Sequence, residues 1–342
     1  MYMQALVASG PNSFKVESIR APEPTRDSVL VQVECCTICG SDVKLLAGTM
    51  KDIRFPLVPG HEWSGTVVGA GADVKHLIGR HVVSDILQSC GRCTNCQTQR
   101  PNLCLSLIEP GLSAQGAFAE LIAVPARTVR VLPEAMPLDI ACLVEPLSVA
   151  LYAVDRQPVV PNDRVLILGG GGIGLLILQI VRLMGLERVA LVDPHPRRRE
   201  VAVALGATAV APSCEAFEQE SMAEFGGPPT MVYHAASRAN AFAQAVRVVE
   251  AGGRIGVVGY TGDEAVEIRP SDVMVKLLDI RGVLSPTADL NRAIDLLANG
   301  HVRAEPLLTH DHPLDEFEAA LDLIAGRRDG AIRVRVRPQS AS

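Results

Sequence analysis

The chain has 342 residues, 48% of them hydrophobic and 20% charged, with a formal net charge of −6. That length is long for one domain and ample for two, each with its own core. The acidic balance runs against a nucleic-acid surface, which needs a basic face, and no run reaches the roughly 18 uninterrupted apolar residues of a spanning helix, so neither a nucleic-acid nor a membrane partner is expected.

Apolar stretches punctuated by Gly and Pro predict strands at 2–8, 14–19, 28–34, 65–68, 81–84 and 119–124, a mainly β, barrel-like first part. The pattern changes at Glu145-Pro146, which opens a helix over 147–154. Pro suits a first helical position because the N–H it lacks has no partner there. From Arg164 the chain alternates, with strands at 165–168, 189–192, 207–210, 231–235, 255–258 and 279–283 and helices at 174–184, 197–205 and 238–250. Short apolar runs alternating with helices predict an α/β unit with a doubly wound parallel sheet covered on both faces. Helices at 290–298 and 314–325 and a strand at 331–336, alternating with Arg333, Arg335 and Arg337, close the chain.

There are nine cysteines, and the first residues, Met1-Tyr2-Met3-Gln4, place no basic segment before an apolar one. An odd cysteine count without a secretion signal speaks for thiols and metal in a cytoplasmic protein. Four of the nine form Cys90-x2-Cys93-x2-Cys96-x7-Cys104. Four thiolates at that spacing can close a tetrahedral shell around one Zn²⁺ and leave no position for substrate, which makes the site structural. The competing readings are unmetallated buried thiols, a nucleic-acid zinc ribbon and an iron–sulfur cluster. The acidic balance opposes the ribbon, and the seven-residue gap before Cys104, with no Pro after it, opposes the cluster.

A second constellation joins Cys39-Gly40-Ser41-Asp42 to Gly60-His61-Glu62. Thiolate, imidazole and carboxylate beside turn-forming glycines are a candidate metal set. A third feature is Gly169-Gly170-Gly171-Gly172-Ile173-Gly174, a G-x-G-x-x-G turn at Gly169, Gly171 and Gly174 between a predicted strand and helix. Asp193 ends the next strand, 19 residues after Gly174. In that setting the turn reads as a dinucleotide site, with pyrophosphate at the helix N-terminus. Asp193 would accept from the adenosine ribose, which favours NAD, whereas Arg197, Arg198 and Arg199 could accommodate a 2′-phosphate.

These motifs, in this order, resemble the zinc-containing medium-chain dehydrogenases over essentially the whole chain. Gly60-His61-Glu62-x2-Gly65-x5-Gly71-x2-Val74 is similar to the family's zinc signature, and Glu145-Pro146-Leu147-Ser148 to a segment of its sorbitol, threonine and cyclitol branch. The resemblance implies a GroES-like, mainly β catalytic domain (1–149, completed by 289–342) with an inserted Rossmann domain (150–288). It implies a catalytic zinc on Cys39 and His61, with Glu62, Glu145 and water competing for the remaining positions, beside the structural zinc on the four cysteines. It further implies Asp42 orienting the ligand His61, Ser41 bonding the substrate hydroxyl and Lys44 ending a proton relay. Gly172, Ile173, Arg198, Val258, Gly259, Leu284 and Ser285 join Gly169, Gly171, Gly174 and Asp193 as NAD contacts. The expected reaction is hydride transfer between NAD and a secondary, polyol-like alcohol or its ketone, in a homodimer or homotetramer. Cyclitol, amino-cyclitol and amino-alcohol (threonine-like) dehydrogenases share that machinery. A catalytically silent NAD- and zinc-binding protein is the reading from another class, and the full ligand set argues against it. Leu45 stands where sorbitol enzymes carry Tyr, and Leu284-Ser285 where they carry Phe-Arg, which counts against sorbitol itself.

Overall fold

A computed structural model describes residues 1–284 and 290–339. They fall into two units, Val149–Leu284 and the remainder on either side of it. In the flanking unit β1 (Tyr2–Gly10) and β2 (Ser13–Arg20) form an antiparallel hairpin. β3 (Ser28–Thr37), helix α1 (Gly40–Leu46), β4 (Glu62–Ala70), β5 (His81–Ser84), β6 (Leu121–Pro125) and β7 (Val129–Val131) follow. A short helix, α2 (Leu138–Ala141), leads into α3 (Val144–Arg156).

The second unit holds β8 (Arg164–Leu168), α4 (Gly172–Leu183), β9 (Arg188–Val192), α5 (Pro196–Ala204), β10 (Ala209–Ala211), β11 (Met231–His234), α6 (Asn240–Val248), β12 (Arg254–Val257), α7 (Pro270–Val275) and β13 (Asp279–Gly282). Its six strands are parallel in the order β10-β9-β8-β11-β12-β13. That is the doubly wound order, whose reversal between β8 and β11 opens a crevice at the carboxyl ends of the strands. Val165, Leu166, Ile167 and Leu168 are all buried, as a strand covered on both faces requires.

The chain then returns to the first unit through α8 (Leu290–Ala298), β14 (Leu308–Pro313), α9 (Phe317–Gly326) and β15 (Arg333–Arg337). The large sheet runs β14-β15-β3-β4-β5-β7, with β6 also on β3. Its core is built by Val29, Val31 and Val33 of β3, with Phe118 against Phe317 edge-on at 4.8 Å between ring centroids. Along β3 burial alternates as far as Val33; Cys35, Cys36 and Thr37 are then fully buried in succession, because both sides of the strand are covered where it nears the candidate metal residues.

Several boundaries differ from the sequence expectation. α3 begins at Val144, so Pro146 is its third residue; its missing N–H is still among the unpaired donors of the first turn. β10 starts at Ala209 because Ala207 and Thr208 are used to turn back, their N–H groups bonding Ala202 and Val189. The helix expected at 314–325 is a 3₁₀ turn, Leu314–Glu316, followed by α9. α1, β7, α7 and β14 were not anticipated; they are short, with too few residues to show a period. Among the described residues no helix is long and apolar enough to cross a membrane.

Candidate active site and metal centres

The first centre grows from the end of β3. Cys39 precedes α1, and its N–H donates to Asp42 Oδ2 at 2.8 Å, which ties the first turn of the helix to its entry. On the neighbouring strand, Thr37 and Glu62 are cross-strand partners. Gly60 has φ +96°, and a Cβ there would lie 2.8 Å from the Phe118 nitrogen, so only glycine lets the chain turn into His61 at this point. The result is that ligand atoms of Cys39, His61 and Glu62 all lie within 4.8 Å of one another. Thiolate, imidazole and carboxylate are the donors of a three-protein-ligand zinc site.

His61 is held from both ends. Its Nε2 lies 3.3 Å from Ser41 Oγ, and its Nδ1 faces Asp42 Oδ1 at 3.6 Å. Both Nδ1 and Oδ1 are buried without a hydrogen-bond partner. A carboxylate behind the ring is how metal-binding histidines are oriented. Burial pushes Asp42 up to about 6 despite the neighbouring His61. It pushes Glu145 up to about 8, against the opposing charge of His61. Burial works against a charge on His61, yet Asp42, Cys39 and Glu145 outweigh it and raise its affinity for a proton. A divalent ion would displace these protons, so the donor set and its electrostatics fit a bound Zn²⁺.

Two residues of this centre were missed by sequence reasoning. Arg333 and Thr37 both bond Glu62, the former at 2.6 and 2.7 Å to its two oxygens. The alternation of β15 makes Arg333 look like a solvent residue, and only strand pairing reveals its partner. Glu145 is buried near the start of α3, electrostatically coupled to His61 and Arg333 but outside the trio of close ligand atoms. Lys44 is half-buried on α1, whereas Leu45 is fully buried in the core.

The second centre is the four-cysteine lobe. Sγ separations are 3.5 Å for Cys93–Cys96 and 3.9 Å for Cys90–Cys96 and Cys93–Cys104. These are far beyond a disulfide's ~2.05 Å. They match the separations of about 3.8 Å that ~2.3 Å Zn–S bonds impose on a tetrahedron. Backbone N–H groups converge on the sulfurs: Cys93 onto Cys90 at 3.4 Å, Cys90 and Ser106 onto Cys104 at 3.3 and 3.4 Å. Hydrogen bonds from Cys96 and Leu105 draw Cys93 down to about 6, which favours the thiolate a metal needs.

The third is the glycine turn after β8. Gly169 has φ +107°, and a Cβ on Gly174 would meet the Gly169 carbonyl oxygen at 1.9 Å, so these two close the turn and seat α4 on the sheet. Gly171, at the N-cap of α4, has nothing within 4 Å of a would-be Cβ, an open cradle at a helix N-terminus that suits a pyrophosphate. Gly172 is buried and Ile173 half-buried in the first turn. Asp193 is buried; its carboxylate accepts from the N–H of Gly170 at 2.8 Å and of His195 at 2.9 Å, with Arg198 3.8 Å away. Past β12, Val258 and Gly259 both donate their N–H to the His234 carbonyl. Leu284 is exposed, and Ser285 lies outside the described residues.

The alcohol dehydrogenase GroES-like domain matches residues 25–134, and the zinc-binding dehydrogenase domain residues 172–299. Sorbitol dehydrogenase of Bombyx mori is 30% identical over 98% of this chain and 99% of its own length. A solved structure from Sinorhizobium meliloti 1021, described as a zinc-binding dehydrogenase bound to NADP, superposes with a TM-score of 0.91 at 33% identity, covering 99% of this chain and 100% of its own. Another, described as a short chain alcohol dehydrogenase (rspB) from Escherichia coli CFT073 with NADH, gives 0.90 at 28% identity, covering 98% and 99%. The chain belongs to the zinc-containing medium-chain alcohol dehydrogenase family, a GroES-like domain combined with a Rossmann-like one. It is a zinc-linked dehydrogenase of the alcohol and polyol type that takes a nicotinamide cofactor.

Proposed function

We propose that the chain interconverts a secondary, polyol-like alcohol and its ketone, with NAD as the hydride carrier. The observation that carries this reading is Ser41 beside His61 in the pocket of Cys39 and Glu62. Zinc held by Cys39 and His61 would supply Lewis acidity to the substrate hydroxyl, and the nicotinamide the hydride chemistry. Ser41 Oγ accepts the hydroxyl proton and passes it outward toward Lys44. Asp42 keeps His61 turned with one nitrogen toward the pocket. Glu62 and Glu145 bring negative charge to the centre, and with water they compete for the positions beside Cys39 and His61. Gly169, Gly171 and Gly174 give the pyrophosphate its cradle, while Ile173, Val258, Gly259 and Leu284 take the rest of the cofactor.

NAD is favoured over NADP because each arginine that could hold a 2′-phosphate is engaged. Arg197 bonds Glu200 at 3.2 Å, Arg198 faces Asp193, and Arg199 bonds the carbonyls of Asp193 and Pro194 at 2.7 and 2.9 Å. Cys90, Cys93, Cys96 and Cys104 hold a second, structural zinc. The protein works in the cytoplasm as a homodimer or homotetramer, a state light scattering decides.

The test is a metal-quantified assay with NAD⁺ and NADP⁺ against polyols, cyclitols, amino alcohols and simple secondary alcohols, before and after chelation. Two zinc per chain with chelator-sensitive reduction of NAD⁺ on a polyol supports the reading. Full turnover after removal of the metal, or turnover only on a primary alcohol, overturns it.

A further inference from the structure

His234 ends β11 and is 1% exposed, yet no step of the proposed reaction uses its side chain. Its Nε2 lies 3.3 Å from the Arg238 carbonyl oxygen, an atom that can only accept, so the ring hydrogen sits on Nε2. Nδ1 is then a bare acceptor, buried without a hydrogen-bond partner. Burial holds the ring's pKa below the usual histidine value, which keeps it neutral. A buried, unpaired acceptor is costly, and an apolar side chain would pack on Phe242 without that cost. What the imidazole adds is the one bond to Arg238.

That bond closes loop 235–238, which leads from β11 toward α6. The Arg238 carbonyl also takes the Ala241 N–H at 3.2 Å, in the first turn of α6. From the outer side Glu264 accepts from the Arg238 guanidinium at 2.9 Å and from the Ala239 N–H at 3.2 Å. The loop between these braces is a wedge. A Cβ on Gly169 would lie 2.9 Å from the Ala236 nitrogen, and one on Gly259 2.0 Å from the Ala236 oxygen. Gly169 is fixed independently, with its N–H on the Val192 carbonyl. A shift of Ala236 therefore falls on Gly259.

We propose that His234 is a positioning residue for the cofactor, holding loop 235–238 so that Ala236 sets where Val258 and Gly259 present their backbone to the nicotinamide half. The proposal rests on the cofactor reading given above. His234→Leu removes the Nε2 donor, His234→Gln keeps an N–H at the same reach, and Glu264→Ala removes the outer brace. NADH binding is followed by fluorescence. Binding of adenosine 5′-monophosphate, which engages only the Asp193 end of the site, is followed by calorimetry.

His234→Leu binds NADH roughly fivefold more weakly, the worth of one hydrogen bond, with its affinity for adenosine 5′-monophosphate unchanged. His234→Gln matches the parent with both ligands. Glu264→Ala shifts in the same direction as His234→Leu and decides the matter where the latter does not fold. Parent-like NADH affinity in His234→Leu and Glu264→Ala overturns the proposal. So does an equal loss of both ligands, which is what a general loosening of the sheet would give, or a His234→Gln variant as weak as His234→Leu. A parent that binds neither NADH nor NADPH ends the cofactor reading, and this proposal with it.

Discussion

One guanidinium nitrogen of Arg333 bridges both oxygens of Glu62 at 2.7 and 2.6 Å, with the side chains 5% and 1% exposed. Two charges out of water repay their desolvation only while each has the other. Removing one alone should therefore be far worse than removing both.

Arg333→Met leaves Glu62 buried and unpaired and should cost about 3–5 kcal/mol of stability. Adding Glu62→Met should recover much of that. Urea unfolding of the two variants and the parent checks it; a double variant as weak as the single would show that Arg333 acts through packing alone.

Cys39→Ser and His61→Ala should each reduce the zinc content from two per chain to one and abolish turnover, with NADH binding unchanged. Asp42→Asn, which changes both the group behind His61 and the acceptor of the Cys39 N–H, should weaken metal binding by about 10–100-fold. Metal analysis and fluorescence titration with NADH separate these outcomes.

Within the glycine turn, two substitutions should part company. At Gly174 a Cβ meets the Gly169 carbonyl at 1.9 Å, whereas at Gly171 it meets nothing within 4 Å. Gly174→Ala should lose about 1–3 kcal/mol of stability through overpacking. Gly171→Ala should fold nearly normally but bind the cofactor at least tenfold more weakly, because its methyl occupies the space a pyrophosphate would approach. Thermal melts with and without NADH distinguish them.

Cys93→Ser should loosen the four-cysteine lobe without touching the glycine turn. Trypsin should then cut after Arg92 faster than in the parent, since a lobe with little core of its own would lean on the metal its thiolates bind. Equal cleavage rates would mean that the lobe holds its shape without metal.

Stability should also carry a small acid-side term from Asp139. The Arg337 guanidinium, hydrogen-bonded at 2.9 Å, holds this carboxyl below its usual range. A lowered native pKa means that the unfolded chain binds protons first. The contribution is therefore present above the unfolded-state value, near 4, and lost as pH falls from there through the lowered native value. The pair is half-exposed, so its worth is about 0.5 kcal/mol. Asp139→Asn should lower stability by that amount at neutral pH, and the difference from the parent should shrink as pH falls below about 4.

The residue types were enough for much of this. The four-cysteine spacing states its ligand number, the glycine turn states its conformation, and Gly60-His61-Glu62 with Cys39 states a donor set, because each depends on neighbours within a short segment. The alternation of β8 to β13 with helices likewise announces a parallel sheet, since a strand buried on both faces must be apolar throughout. Short elements such as α1 and β14 left no such mark. Nor did Arg333, 271 residues from Glu62, or Thr37, one strand away from it. Their roles come from strand register, which joins chain segments with no local relation, and from the low dielectric that makes a buried carboxylate take whatever donors the sheet brings to it.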